Sequence, residues 1–139
     1  MPDTVPDAVK DHWAHPAVIL VATDLSDLNR LMPFALKQAV DNDARLILLH
    51  VLAAGEGIAV DAAGMPYYDP TGALELAQTA LTPWCEVARR QSIICDALVR
   101  EGYAANQIEE AILKFKADRV LLGTRSRSKL GKLLLGSVA

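Results

Sequence analysis

The chain has 139 residues, 52% of them apolar and 22% charged, with a formal net charge of -3; this excludes a disordered chain and predicts one folded domain with its own core. No run reaches the ~18–20 apolar residues of a membrane helix. The N-terminal stretch carries Asp3, Asp7 and Asp11 and no apolar segment, unlike a secretory leader. The positive charge is local: residues 119–139 hold Arg119, Arg125, Arg127, Lys129 and Lys132 and no acid, while the rest of the chain is strongly acidic. Such a patch suits a small anionic ligand better than a nucleic-acid backbone, and an aromatic content of 5% offers no stacking platform for single strands. Neither nucleic acid nor a membrane is therefore an expected partner. Cys85 and Cys95 read as reduced thiols and the chain as cytoplasmic.

Residues 1–16 read as a polar, proline-containing extension ahead of a domain spanning 17–139. Residues 17–23 form a continuous apolar run of strand length, the pattern of a strand buried on both faces. Asp24 ends it. Ser26 and Asp27 are candidate caps for a helix whose apolar positions are Leu28, Leu31, Met32, Ala35, Leu36, Ala39 and Val40. Pro33 is awkward there, so the helix begins near it or its first turn is offset. Residues 41–43 read as a turn and 45–52 as a second buried strand. Residues 53–72, rich in Gly and Ala, read as a long flexible loop.

A helix over 74–90 follows, kinked at Pro83. A third strand is expected over 93–99, interrupted by Asp96, then a helix over 104–116 with Ile108, Ala111, Ile112 and Phe115 inward. A fourth strand spans 119–122, and another helix begins at Lys132. Strands alternating with helices predict an α/β fold: a doubly wound parallel sheet with helices on both faces. Ligands of such sheets sit beyond the carboxyl ends of the strands, where strand order reverses. Asp24, the 53–72 loop and Gly123 all follow strands and so share that edge.

Asp24 has two readings: acceptor for a purine or sugar, or cap of the turn that follows it. The segment 123–137 offers Gly123, Thr124, Ser126, Ser128, Gly131, Gly136 and Ser137 among basic residues. It reads either as a phosphate-holding loop, with backbone N–H groups facing the anion, or as a solvated basic loop with glycine turns. The Walker P-loop pattern fails, since position 126 is Ser and 133 is Leu. The Gly-x-Gly-x-x-Gly dinucleotide fingerprint is absent after the first strand. His12, His15 and His50 show no metal-ligand spacing, and Cys85 and Cys95 read as small buried groups. There is no nucleophile elbow and no nucleophile–base pair, so the sequence gives little support for covalent catalysis.

Val21-Ala-Thr-Asp-Leu-Ser26, Leu46-Ile-Leu-Leu-His-Val51, Arg100-Glu-Gly102, and Ala117-Asp-Arg-Val-Leu-Leu-Gly-Thr124 leading to Leu133-Leu-Leu-Gly-Ser-Val-Ala139 resemble the universal stress protein family. The resemblance implies a five-stranded, adenine nucleotide alpha hydrolase-like domain, usually a homodimer, that binds ATP, with or without Mg2+, through Gly-x2-Gly-x9-Gly-Ser/Thr. Here that spacing reads Gly123, Ser126, Gly136, Ser137. Ser126 replaces the second glycine; its hydroxyl can donate to a phosphate oxygen, and Arg125 and Arg127 flank it. By the resemblance, Asp24 contacts the adenine, the Val51 backbone lies near it, and Gly136 and Ser137 meet the phosphates at a helix N-terminus. The family's fifth strand is not expected here, since the sequence stops at Ala139. Three functions are open: a stress-response module that switches conformation or partner with ATP and at most hydrolyses it weakly; a family member that binds no ATP and works through dimerisation or protein association; and an enzyme of another α/β nucleotide family, such as an adenylating one, which the absence of a catalytic constellation argues against.

Overall fold

The computed structural model describes residues 15–53 and 55–123. In chain order the elements are β1 (Val18–Ala22), α1 (Leu28–Asn42), β2 (Arg45–Leu52), β3 (Ile58–Val60), β4 (Pro66–Tyr68), α2 (Thr71–Arg90), β5 (Cys95–Glu101), α3 (Ala104–Phe115) and β6 (Arg119–Leu122). Four strands form a parallel sheet in the order β5-β2-β1-β6. The chain winds outward from β1 to β2 to β5. It then crosses back over α3 to place β6 on the other side of β1. The direction of winding thus reverses between β1 and β6.

The unbroken apolar runs are explained by burial on both faces. Ile19, Val21, Leu46 and Leu48 point to one side, where they pack with Met32, Ala35, Leu36 and Ala39 of α1 and Leu81, Cys85 and Ala88 of α2. Leu20, Ala22, Ile47 and Leu49 point to the other, against Ala105, Ile108 and Ala111 of α3. Successive strand residues alternate faces, so a strand with helices on both sides has no polar position to offer. Each fully buried Leu or Ile contributes about 1.5–3 kcal/mol relative to exposure. The expected doubly wound α/β fold is the one observed.

The start of β1 is held from across the sheet. The Asp118 carboxylate accepts the backbone N–H groups of Ala17 and Val18 at 2.8 and 3.0 Å. On β2, Arg45 donates to Asp96 at 2.5 Å and lies over the Phe115 ring, 5.4 Å from its centroid. Asp96 therefore does not interrupt its strand; on an edge strand its carboxylate reaches a cation on the neighbour.

Several expectations change. Residues 53–72 are not a structureless loop: Ile58–Val60 pairs antiparallel with Pro66–Tyr68, a hairpin too short to show a clear alternation in sequence. The helix α1 begins at Leu28 and holds Pro33 in its interior. It runs through Asn42, and the turn contracts to Asp43, the left-handed C-cap. Asp27 is the N-cap residue, yet neither it nor Ser26 caps with a side chain. The third strand begins at Cys95, two residues later than expected, because Gln91 and Ser92 first turn the chain back on α2. The expected helix from Lys132 lies outside the described residues.

Candidate functional site

Beyond Ala22 the β1 chain makes one more ladder bond, Thr23 N–H to the Leu49 carbonyl at 3.0 Å, and then turns. Every polar group of Thr23 is engaged. Its carbonyl faces His50 Nδ1 at 2.8 Å, its hydroxyl oxygen accepts the Leu25 N–H at 2.9 Å, and its hydroxyl donates to Asp27 Oδ1. A carbonyl only accepts, so His50 Nδ1 carries a proton and donates it to Thr23. Leu25 sits at φ 77, a conformation unusual for a bulky residue. The Thr23 hydroxyl and the Asp24 carboxylate hold it from both sides: Asp24 Oδ1 accepts the Ser26 N–H at 2.9 Å and the Ser26 hydroxyl at 2.7 Å.

This turn forms one wall of a cavity of about 290 Å³ at the carboxyl ends of β1 and β2. Thr23 and Asp24 line it from β1, His50 and Val51 from β2, Glu56 from the segment beyond, and Ala104 and Ile108 from the first turns of α3. The size approaches the lower range of small-ligand sites. Two carboxylates, Asp24 and Glu56, are among the lining residues, so these walls suit hydrogen-bond donors and an apolar ring better than phosphate. Ala53 also belongs to a neighbouring hollow of about 280 Å³ under the hairpin, lined by Ile58, Tyr68, Glu101 and Gly102. There the Tyr68 hydroxyl donates to Glu101, clipping the hairpin to the end of β5. That bond raises the Tyr68 pKa above its ordinary value.

Of the residues singled out in sequence, Asp24 and Val51 thus share one cavity. The Asp24 carboxylate caps its own turn, and Asp24 is among the residues that line the cavity. Gly123 ends β6 beside Asp27. A Cβ placed on Gly123 would lie 2.8 Å from Asp27 Cγ and 3.1 Å from Asp27 Cβ, so the absent side chain makes room for a carboxylate. Asp27 is 3% exposed, and its Oδ2 has no hydrogen-bond partner among the described residues. Arg125, Ser126, Arg127, Gly136 and Ser137 lie outside the described residues. His50 and Asp27 were missed as site residues. The apolar run around His50 resembled plain core, and Asp27 resembled an ordinary helix cap. Among the described residues no cluster of His, Cys, Asp and Glu could hold a metal ion, and no helix is long and apolar enough to cross a membrane.

The family model described as the universal stress protein family matches residues 17–139. A universal stress protein of Methanocaldococcus jannaschii is 30% identical over 122 residues, covering 87% of this chain and 72% of that protein. Among solved structures, a universal stress protein family member from Burkholderia pseudomallei matches with a TM-score of 0.66 at 23% identity, covering 88% of this chain and 91% of that one. A universal stress protein from Archaeoglobus fulgidus, solved in complex with dAMP, matches with a TM-score of 0.60 at 16% identity, covering 88% and 92%.

Proposed function

The chain belongs to the universal stress protein family, and from that premise we propose that it is a stress-response module that binds an adenine nucleotide, ATP above all, at the carboxyl edge of its sheet. The observation that carries this reading is the single cavity shared by Asp24 and Val51. An adenine inserted there meets apolar walls from Leu49, Ala104 and Ile108. Its exocyclic amine or the ribose hydroxyls donate to Asp24, and the Val51 backbone supplies the complementary edge. The phosphates point away from Asp24 and Glu56, because carboxylates repel them, and toward the basic segment that holds Arg125, Ser126, Arg127, Gly136 and Ser137. The relative that holds dAMP supports the ligand class. The triphosphate rests on the spacing Gly123, Ser126, Gly136, Ser137, with Mg2+ as an accompanying ion. Binding alters conformation or partner choice rather than driving turnover, and the protein acts as a cytoplasmic homodimer.

Calorimetric titration of ATP at moderate salt, with and without magnesium, tests the reading. Saturable heat is expected, together with a loss of affinity of roughly 10- to 100-fold for Asp24→Ala, the scale of a hydrogen bond to a charged group. No heat and no thermal shift at millimolar ATP would overturn it. Ser126→Gly then separates two cases: gained affinity means the loop is otherwise competent.

A second reading, action by protein association without nucleotide, draws on one feature. The hairpin exposes Ile58, Val60, Met65 and Tyr68, each more than half accessible, and exposed apolar side chains grouped this way mark interaction surfaces.

A further inference from the structure

The two cysteines of the chain meet inside the fold. Cys85 lies on the buried face of α2 and Cys95 opens β5, each 2% exposed, and their sulfurs stand 2.8 Å apart. Three features fix this approach. The α2 helix ends at Arg90, and Ser92, at φ 63, reverses the chain. The Ile93 N–H returns to the Ala88 carbonyl at 3.0 Å, which lays the incoming strand along the last turn of the helix. The Arg89 guanidinium then reaches over and donates to the Cys95 carbonyl at 3.0 Å. Buried structural cysteines do not need a facing sulfur; either residue would pack as a small apolar group against Ala88 and Ile93.

We propose that Cys85 and Cys95 are an oxidisable dithiol that closes to an intramolecular disulfide when a hydroperoxide reaches it, tying α2 to the edge strand β5. The route lies beside Cys95. Arg89, Ser92, Ile93, Ile94, Cys95 and Asp96 line a shallow hollow open to solvent. Among the described residues β5 is bonded only to β2. The end of an edge strand opens locally at far lower cost than the centre of a sheet.

The two sulfurs share one S–H···S contact in which either can donate, and the Arg89 charge beside them favours a thiolate on either. The thiolate sulfur bonds to one peroxide oxygen, the O–O bond breaks, and the leaving oxygen takes a proton and departs as water, or as an alcohol from an organic hydroperoxide. The facing cysteine sulfur then attacks the sulfenic acid so formed. The S–O bond breaks, the hydroxyl leaves with the proton of the second thiol as water, and the S–S bond forms. The two thiols lose two electrons and the peroxide gains them. In a reducing compartment thiols would reverse the step, which is the behaviour of a sensing rather than a structural pair. Nothing in this depends on nucleotide binding.

The test uses the intact wild-type chain and hydrogen peroxide. After catalase quenching, the protein is unfolded, alkylated and analysed by intact mass, peptide mapping and non-reducing electrophoresis. The expected result is loss of both alkylatable thiols in a monomer-sized band, a cross-linked peptide joining Cys85 to Cys95, and full recovery with a thiol reductant. Persistence of both free thiols overturns the proposal, as does irreversible oxidation of the separate cysteines or a cross-link between chains. Trapping with a sulfenic-acid reagent in Cys95→Ala and Cys85→Ala then reads the intermediate. Label on the remaining cysteine of at least one variant is expected, and none on either overturns the sulfenic-acid route.

Discussion

The Asp27 carboxylate fills the space that a side chain on Gly123 would need. The two residues lie at the ends of different elements, one opening α1 and the other closing β6, at the point where the winding of the sheet reverses. The glycine that opens the phosphate-binding spacing in the sequence also clears room for a buried acid.

Gly123→Ala is expected to destabilise the protein by about 1–3 kcal/mol, the range for overpacking a closed site. The colliding group is the partner, so the cost must depend on it. In a double-mutant cycle with Asp27→Ala, urea unfolding should show a double variant more stable than the sum of the singles by about 0.5–3 kcal/mol. Strict additivity would mean the two side chains do not compete for the space.

Leu48 and Leu49 are neighbours on β2 but face opposite layers. Each replaced by Ala should cost about 2–5 kcal/mol by leaving a cavity. Only Leu49 borders the site near Asp24. Leu49→Ala should therefore change adenine-nucleotide affinity in calorimetry, while Leu48→Ala should leave it unchanged under conditions where both remain folded.

Arg45 and Asp96 are both partly exposed, so their ion pair is screened, and Asp96→Ala should cost only about 0.2–1 kcal/mol, less in high salt. Arg45→Ala should cost more, because it also removes the cation over Phe115, worth a further ~0.5–1 kcal/mol at an exposed site. Denaturant midpoints at low and high salt check both the order and the salt dependence.

Two adjacent residues at the end of the hairpin, Tyr68 and Asp69, carry opposite pH signatures. Tyr68 has a raised pKa, first because its hydroxyl donates to Glu101. Its contribution is complete below the unfolded value of ~10 and is lost as pH climbs through the folded one. Asp69 has a lowered pKa, first because the Thr71 side chain hydrogen-bonds to its carboxylate. Its contribution is present above ~3.9 and is lost as pH falls through the folded value. Tyrosinate absorbance should show a late-titrating component that disappears in Tyr68→Phe, and Asp69→Asn should flatten the acid limb of the stability profile.

The strands β1, β2 and β6 and the helix α3 were legible in the residues because burial on both faces leaves a plain signature: apolar runs of strand length between helical spacings. The segment 53–72 was not, since short strands such as Ile58–Val60 and Pro66–Tyr68 are decided by pairing with each other and by the Tyr68–Glu101 bond across to β5. Asp24 could be placed on the carboxyl edge from its position after a strand, and Val51 from the family resemblance. That they share a cavity with His50, and that Asp24 also closes its own turn, needed the backbone geometry.

What the sequence determined by itself is therefore the layering of the fold and the edge proposed for a ligand, because both follow from local hydrophobic pattern and the direction of the chain. What only the tertiary structure decided is which distant groups touch: Asp27 against Gly123, Arg45 against Asp96 and Phe115, and Cys85 against Cys95. Those pairs are far apart in sequence or joined by a reversal whose angle no propensity sets. Their contact depends on how helices seat on the sheet, a matter of packing shape that local pattern does not encode.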